Sequence, residues 1–163
     1  MTEEHHIVYL GLGSNLGDSR ATILHAYREI EKLIGTIVRQ SAFYESEPWG
    51  FESENMFTNT VICVETRLLP FELLKQTQHV ERLLGKTAQH ATERIDRDEV
   101  ASSLFTHHSS VYHDRPIDID ILLYDDLTID TPELKIPHPL MQERDFVMVP
   151  LREILITYAG REP

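Results

Sequence analysis

Asp118 and Asp120 stand two residues apart in the run Arg115-Pro116-Ile117-Asp118-Ile119-Asp120-Ile121-Leu122. Side chains alternate along a β-strand, so this spacing puts both carboxylates on one face and Ile117, Ile119 and Ile121 on the other. Adjacent like charges raise each other's pKa, a cost that a divalent cation reverses. Magnesium suits such a pair, because it takes one or two carboxylates and fills the rest of its shell with water and phosphate oxygens. Arg115, just ahead of the pair, supplies a guanidinium able to hold a phosphate beside the metal. A solvated polar face on a half-buried strand gives the same alternation, so the pair alone leaves both readings open.

A second group lies in the tail. His138 is set between Pro137 and Pro139, which stiffen the backbone and fix its direction. Arg144 and Phe146 follow, a charge for phosphate and a ring for stacking; taken singly, His138 also fits a structural loop residue and Phe146 a core residue. Gly11-Leu12-Gly13-Ser14-Asn15-Leu16-Gly17 departs from a dinucleotide fingerprint at Leu16 and lacks the Lys of a phosphate-binding loop. It reads as a tight strand-to-helix connection, with Gly13 and Gly17 in unusual backbone angles. Asp125-Asp126 read as turn residues.

The elements that must position these groups follow from periodicity. Ile7 to Leu12 is a strand. Asp18 caps a helix whose apolar face is Ile23, Tyr27, Ile30 and Ile34, and Gly35 ends it. Two β-rich stretches come next, Ile37 to Ser46 and Phe57 to Thr66. Pro70 opens a second helix, with Leu73, Thr77, Val80 and Leu84 on one face and Gly85 after it. Lys86 to Asp114 is long and polar, the signature of a functional or disordered loop. Ile117 to Tyr124 is a strand that turns into a short partner, Leu127 to Asp130, and a helical stretch runs from about Arg144 to Ile154. The order β-α-β-β-α-β predicts an α+β fold: a ferredoxin-like antiparallel sheet with helices packed on it and long loops.

Composition bounds the rest. At 163 residues, 41% hydrophobic and 26% charged, the chain reads as one globular domain over residues 1–163. A net charge of −12 argues against nucleic acid or an anionic membrane as partner. No apolar run nears the roughly 20 residues of a membrane-spanning helix, and the acidic start differs from a signal peptide. Cytoplasm is the expected compartment. The single cysteine, Cys63, sits in an apolar run and reads as a buried thiol; His5-His6 and His107-His108 lack zinc spacing and read as surface residues.

Together the motifs resemble the 6-hydroxymethyl-7,8-dihydropterin pyrophosphokinase family. The segments that carry the resemblance are Gly13-Ser14-Asn15-Leu16-Gly17-Asp18, Phe43-Tyr44-Glu45-Ser46-Glu47-Pro48-Trp49-Gly50, Phe57-Thr58-Asn59, Glu81 with Leu84-Gly85-Lys86, Arg115 to Asp120, Pro137-His138-Pro139 and Arg144-Asp145-Phe146. The resemblance implies pyrophosphate transfer from ATP to a pterin alcohol in folate biosynthesis, by a monomer or weak dimer. It implies two magnesium ions on Asp118 and Asp120, and a pterin between Phe57 and Phe146 whose polar edge meets Asn59 and the backbone from Ser46 to Pro48. Glu81, Lys86, Tyr112, Arg115, His138 and Arg144 would line the ATP side, with Lys86 and Arg115 counted beside the two aspartates as catalytic. Loops would close over both substrates.

The chain departs from the family pattern between Lys86 and Asp114. Lys86 and Ala88 replace two arginines, Tyr112 stands where a tryptophan is common, and the longer loop adds Arg94 and Arg97. Lysine loses the bidentate grip of arginine on phosphate. No side chain is evidently placed as a general base. Two rivals remain at this point: another magnesium-dependent transferase with an Asp-x-Asp pair, and a non-catalytic ferredoxin-like module that senses a small molecule.

Overall fold

The apolar run near the start forms β1 (His6–Ser14), the strand around which the sheet is built. The computed structural model describes residues 4–47, 56–88 and 116–159. On one side β1 pairs with β4 (Phe57–Thr66) and on the other with β5 (Asp118–Tyr124), both antiparallel. With β2 (Gly35–Gln40) outside β4, the order is β2-β4-β1-β5, and the short β3 (Tyr44–Ser46) pairs with the start of β4. The expected single stretch from Ile37 to Ser46 is therefore interrupted. At the break, Ser41 keeps contact with β4 through its own N–H to the Val61 carbonyl and through its Oγ, which accepts from the Val61 N–H.

Each face of the sheet buries a different core. On one, α1 (Ser19–Leu33) and α2 (Pro70–Ala88) bring Ile23, Ala26, Ile30, Leu73 and Val80 against Val8, Leu10, Leu12, Ile62, Val64, Ile119 and Ile121. On the other, α3 (Asp145–Ala159), entered by a 3-10 turn at Met141–Glu143, lays Val147, Leu151 and Ile154 over Tyr9, Val61, Cys63 and Leu122. The fold is mixed, an antiparallel sheet with three α-helices among the described residues.

The helix signals hold where they are local. Asp18 Oδ1 accepts from the Ala21 N–H at 3.2 Å, and Ile23, Tyr27 and Ile30 are all buried. The glycines behave differently from expectation. Gly17 does take a positive φ of 65°, but Gly13 lies inside β1 with no such angle. Gly35 does follow the end of α1, after the Ile34 cap, but as the first residue of β2 and without a left-handed angle: an added Cβ would lie 2.1 Å from the Glu65 carbonyl, so it is the closeness of β4 that excludes a side chain. Gly85 does not end α2, which runs on to Ala88. A glycine inside a helix costs about 1 kcal/mol, less than the roughly 2 kcal/mol from burying Leu84 beside it.

The stretch after β5 keeps one expectation, the turn at Asp125-Asp126, and departs from another. Asp125 turns the chain with a φ of 49°, and its carboxylate accepts from the Ile7 N–H at 2.8 Å. The strand that follows is β6 (Ile129–Asp130), and it pairs with β7 (Lys135–Ile136) and not with β5. Pairing between two segments of two residues each leaves no periodic trace. The expected loop from Lys86 to Asp114 falls outside the described residues from position 89 on.

Candidate active site

The register of the three central strands sets the site's floor. Gly13 of β1 stands between Asn59 of β4 and Asp118 of β5, and Gly11 between Val61 and Asp120. Residues directly across a ladder share a face, so Asp118, Asp120 and Asn59 project on the α3 side of the sheet, beyond the reach of the helix's apolar residues. Asp118 and Asp120 are both half-buried while Ile117, Ile119 and Ile121 are buried, as the alternation predicts.

Gly13 matters here as an empty place. A Cβ on it would lie 3.1 Å from Asn59 Oδ1 and 3.6 Å from Phe57 Cδ1, so its missing side chain leaves a notch bordered by an amide oxygen and an aromatic edge. The Asn59 Nδ2 group is committed to the protein, donating to Ser46 Oγ at 2.9 Å and to the Tyr44 carbonyl at 3.2 Å. That leaves Oδ1 as the acceptor over the notch. Ser46, Phe57 and Asn59 are thus brought together. Pro48, the remaining expected pterin contact, lies outside the described residues.

Two tail residues converge on Asp120. Arg144 is buried, and its Nη1 lies 3.7 Å from Asp120 Oδ2. The same guanidinium stands over the half-buried Phe146 ring, 5.7 Å from its centroid, within cation–π range. His138 Nε2 is 3.8 Å from Asp120 Oδ2. That contact is not an ion pair, because burial first and Arg144 second push the His138 pKa down to about 4, against a smaller upward pull from Asp118. The hydrogen bonding agrees: Nδ1 accepts from the Leu140 N–H at 3.2 Å, which requires a neutral ring with its proton on Nε2. The backbone N–H of His138 donates to the Leu122 carbonyl and so ties this loop to β5.

Glu81, on α2, sends Oε2 to the backbone N–H of Ile119 at 2.7 Å, between the two aspartates. Lys86 lies in the last turn of α2 with its side chain outside the described residues, as are Tyr112 and Arg115. One brace was not visible in the residue pattern. Glu153 of α3 accepts from the Tyr44 hydroxyl at 2.9 Å and from the Ala42 N–H, fastening β3 with Ser46 to the helix that carries Phe146. Glu153 in turn holds the Tyr44 pKa above its ordinary value, chiefly through that hydrogen bond. No local motif announces a contact between residues more than a hundred positions apart; Gly13 alone left a sign, a glycine opposite an acidic strand.

The oxygen donors Asp118 and Asp120, sharing a face beside a buried guanidinium, fit a hard divalent cation that keeps most of its shell for water and phosphate. A family model for 7,8-dihydro-6-hydroxymethylpterin-pyrophosphokinase (HPPK) matches residues 9–156, all but the ends of the chain. The chain belongs to the HPPK family. Among HPPK relatives, the 2-amino-4-hydroxy-6-hydroxymethyldihydropteridine pyrophosphokinase of Porphyromonas gingivalis is 42% identical over 149 residues, 91% of this chain and 90% of that one. The Aquifex aeolicus protein of the same name is 42% identical over 147 residues, 90% of this chain and 79% of its own. In structure the chain is similar to a Plasmodium falciparum HPPK-DHPS protein, with a TM-score of 0.66 at 15% identity, over 94% of this chain and 42% of that longer one. At that identity the likeness speaks for the HPPK fold. Among the described residues no helix is long and apolar enough to cross a membrane.

Proposed function

We propose that this HPPK-family chain transfers the pyrophosphoryl group of ATP to 6-hydroxymethyl-7,8-dihydropterin, giving AMP and the pterin diphosphate in folate biosynthesis. The observation that carries the reading is the row Asn59–Gly13–Asp118 across adjacent strands: a notch with an amide acceptor at one end and a carboxylate pair at the other.

In this reading the pterin lies over Gly13 between Phe57 and Phe146, and its ring N–H groups donate to Asn59 Oδ1. Its hydroxymethyl oxygen then faces Asp118 and Asp120. That oxygen attacks the β-phosphorus of ATP, the bond from this phosphorus to the oxygen bridging the α- and β-phosphates breaks, and AMP departs with that oxygen while the hydroxyl loses its proton. Asp118 and Asp120 would hold two magnesium ions, which when bound neutralise the β- and γ-phosphates and polarise the attacking hydroxyl. The protein's share is positioning and fixed charge. Arg144, buried and braced by Asp120, presents a guanidinium that does not have to reorganise, and Lys86 and Arg115 would add charge from the loop side. Neutral His138 offers an Nε2–H to a phosphate or ribose oxygen without adding repulsion against Arg144. Tyr112 and Glu81 belong to the same ATP side.

Counting β2 and β3 as one interrupted strand gives the ferredoxin-like βαββαβ core, with residues 1–163 as one domain acting on soluble substrates in the cytoplasm. The test is product analysis. Incubated with ATP, magnesium and hydroxymethyldihydropterin, the protein should release AMP and pterin diphosphate in equal amounts. Asp120→Ala should stop the reaction while circular dichroism stays unchanged. Release of ADP or inorganic pyrophosphate, or robust turnover by Asp120→Ala, would overturn the reading.

A further inference from the structure

We propose that Glu81 is a positioning residue for the acidic pair: its carboxylate holds the Ile119 peptide N–H and thereby aims Asp118 and Asp120 into the cleft. The role rests on the pyrophosphokinase reading, and it adds an action through the backbone to the place of Glu81 on the ATP side.

β5 closes one edge of the sheet, with β1 as its neighbour on the inner side. Alternate N–H groups of such a strand point outward, where nothing in the ladder receives them, and each unpaired group costs free energy. The Ile119 N–H is met at 2.7 Å by Glu81 Oε2, a distance typical of a charge-assisted hydrogen bond. This N–H belongs to the peptide unit joining Asp118 to Ile119. Fixing the plane of that unit fixes the backbone angles on either side, and so the direction of the Asp118 side chain and the pleat that carries Asp120.

The anchor itself is firm. Glu81 is half-buried on α2, next to Val80, which is fully buried, and one turn before Leu84. Val80, Leu84 and the Ile119 side chain lie in the same core. Ile119 is thus held through its side chain by the core and through its N–H by Glu81, and it stands opposite Leu12 in the ladder. A neutral amide would satisfy the N–H equally well.

The experiment uses the full chain with Glu81→Gln, which keeps an acceptor, and Glu81→Ala, which removes it. Glu81→Asp, one methylene too short for the bond, replaces alanine if that variant does not fold. Four quantities are measured: hydrogen exchange at the Ile119 amide, Mn2+ affinity in the presence of a non-hydrolysable ATP analogue, the kcat for AMP formation, and the pterin KM. Loss of a hydrogen bond to a charged group should raise Ile119 exchange and lower Mn2+ affinity about tenfold, and lower kcat about ten- to hundredfold, with pterin KM within about twofold. Glu81→Gln should recover most of each loss. If Glu81→Ala is less stable yet keeps Mn2+ affinity and kcat, the carboxylate is only a strut and the proposal fails. If Glu81→Gln is as impaired as alanine while its Ile119 amide stays protected, the charge acts directly on substrate or metal, and the proposal fails. A wild-type protein that forms no AMP sinks the pyrophosphokinase reading and this role together, whereas an active wild type matched by both variants sinks only the role of Glu81.

Discussion

Acidification should destabilise the ligand-free protein through His138 before most carboxylates protonate. The folded-state pKa of this ring is about 4 against an ordinary value of 6.5, with burial as the main cause and Arg144 second. A folded pKa below the unfolded one means that the unfolded chain binds the proton first. His138 is neutral in both states above pH 7 and contributes no slope there. As the pH falls from 6.5 towards 4, protonation of the unfolded chain draws the equilibrium away from the native state, and below about 4 the effect levels off. At 1.36 kcal/mol per unit, the full difference somewhat exceeds about 3 kcal/mol, of which about 2 kcal/mol is expressed between pH 7.5 and 5. Urea unfolding across that range, compared with His138→Gln, reads it directly: the wild type should lose about 2 kcal/mol more than the variant. Nuclear magnetic resonance of the ring protons supplies the microscopic check, since His138 should stay neutral at pH 5 and keep the Nδ1 acceptor role towards Leu140. A ring midpoint at 6 or higher, or parallel stability profiles for the two proteins, would refute the burial argument.

Two other outcomes follow from the cleft. Phe146→Ala should weaken pterin binding about ten- to hundredfold, the range of a lost aromatic stack of roughly 1–3 kcal/mol, and change ATP binding far less; equal losses for both ligands in titration calorimetry would count against a sandwich. Gly13→Ala should fold normally, because β1 is extended there, yet push its methyl towards Asn59 Oδ1 at 3.1 Å and cut pterin affinity severalfold; unchanged pterin binding would show that the notch is not where the ring sits.

What could be read from the chain was what is written locally. The Asp18 cap, the buried Ile23–Tyr27–Ile30 stripe and the opposed faces of Asp118 and Ile119 are each set within a few residues by helical or strand periodicity. The pairing partners were not so written. Gly35 and Gly85 both look like helix stops; α1 does end at the first, where β4 comes close, but α2 runs past the second to Ala88. The same limit hid the Glu153 brace on Tyr44 and the grip of Glu81 on Ile119, both made by chain segments that meet only after folding. The resemblance to a known family supplied the role of Asn59, whereas its amide orientation, with Nδ2 turned inward, emerged from Ser46 and Tyr44.

The pairing of β1 with β5 skips a residue: Leu10 faces Ile121, but Tyr9 faces Leu123, so Leu122 is supernumerary. As a result Leu122 and Leu123 both turn towards α3, while Tyr124 joins Val8 in the opposite core. The irregularity works as a phase shifter within one strand, letting its first half show acids to solvent and its second half show grease to a helix without either constraint dictating the other. Closing the irregularity with Leu122 kept in the ladder would turn Tyr124 onto the same face as Asp118 and Asp120.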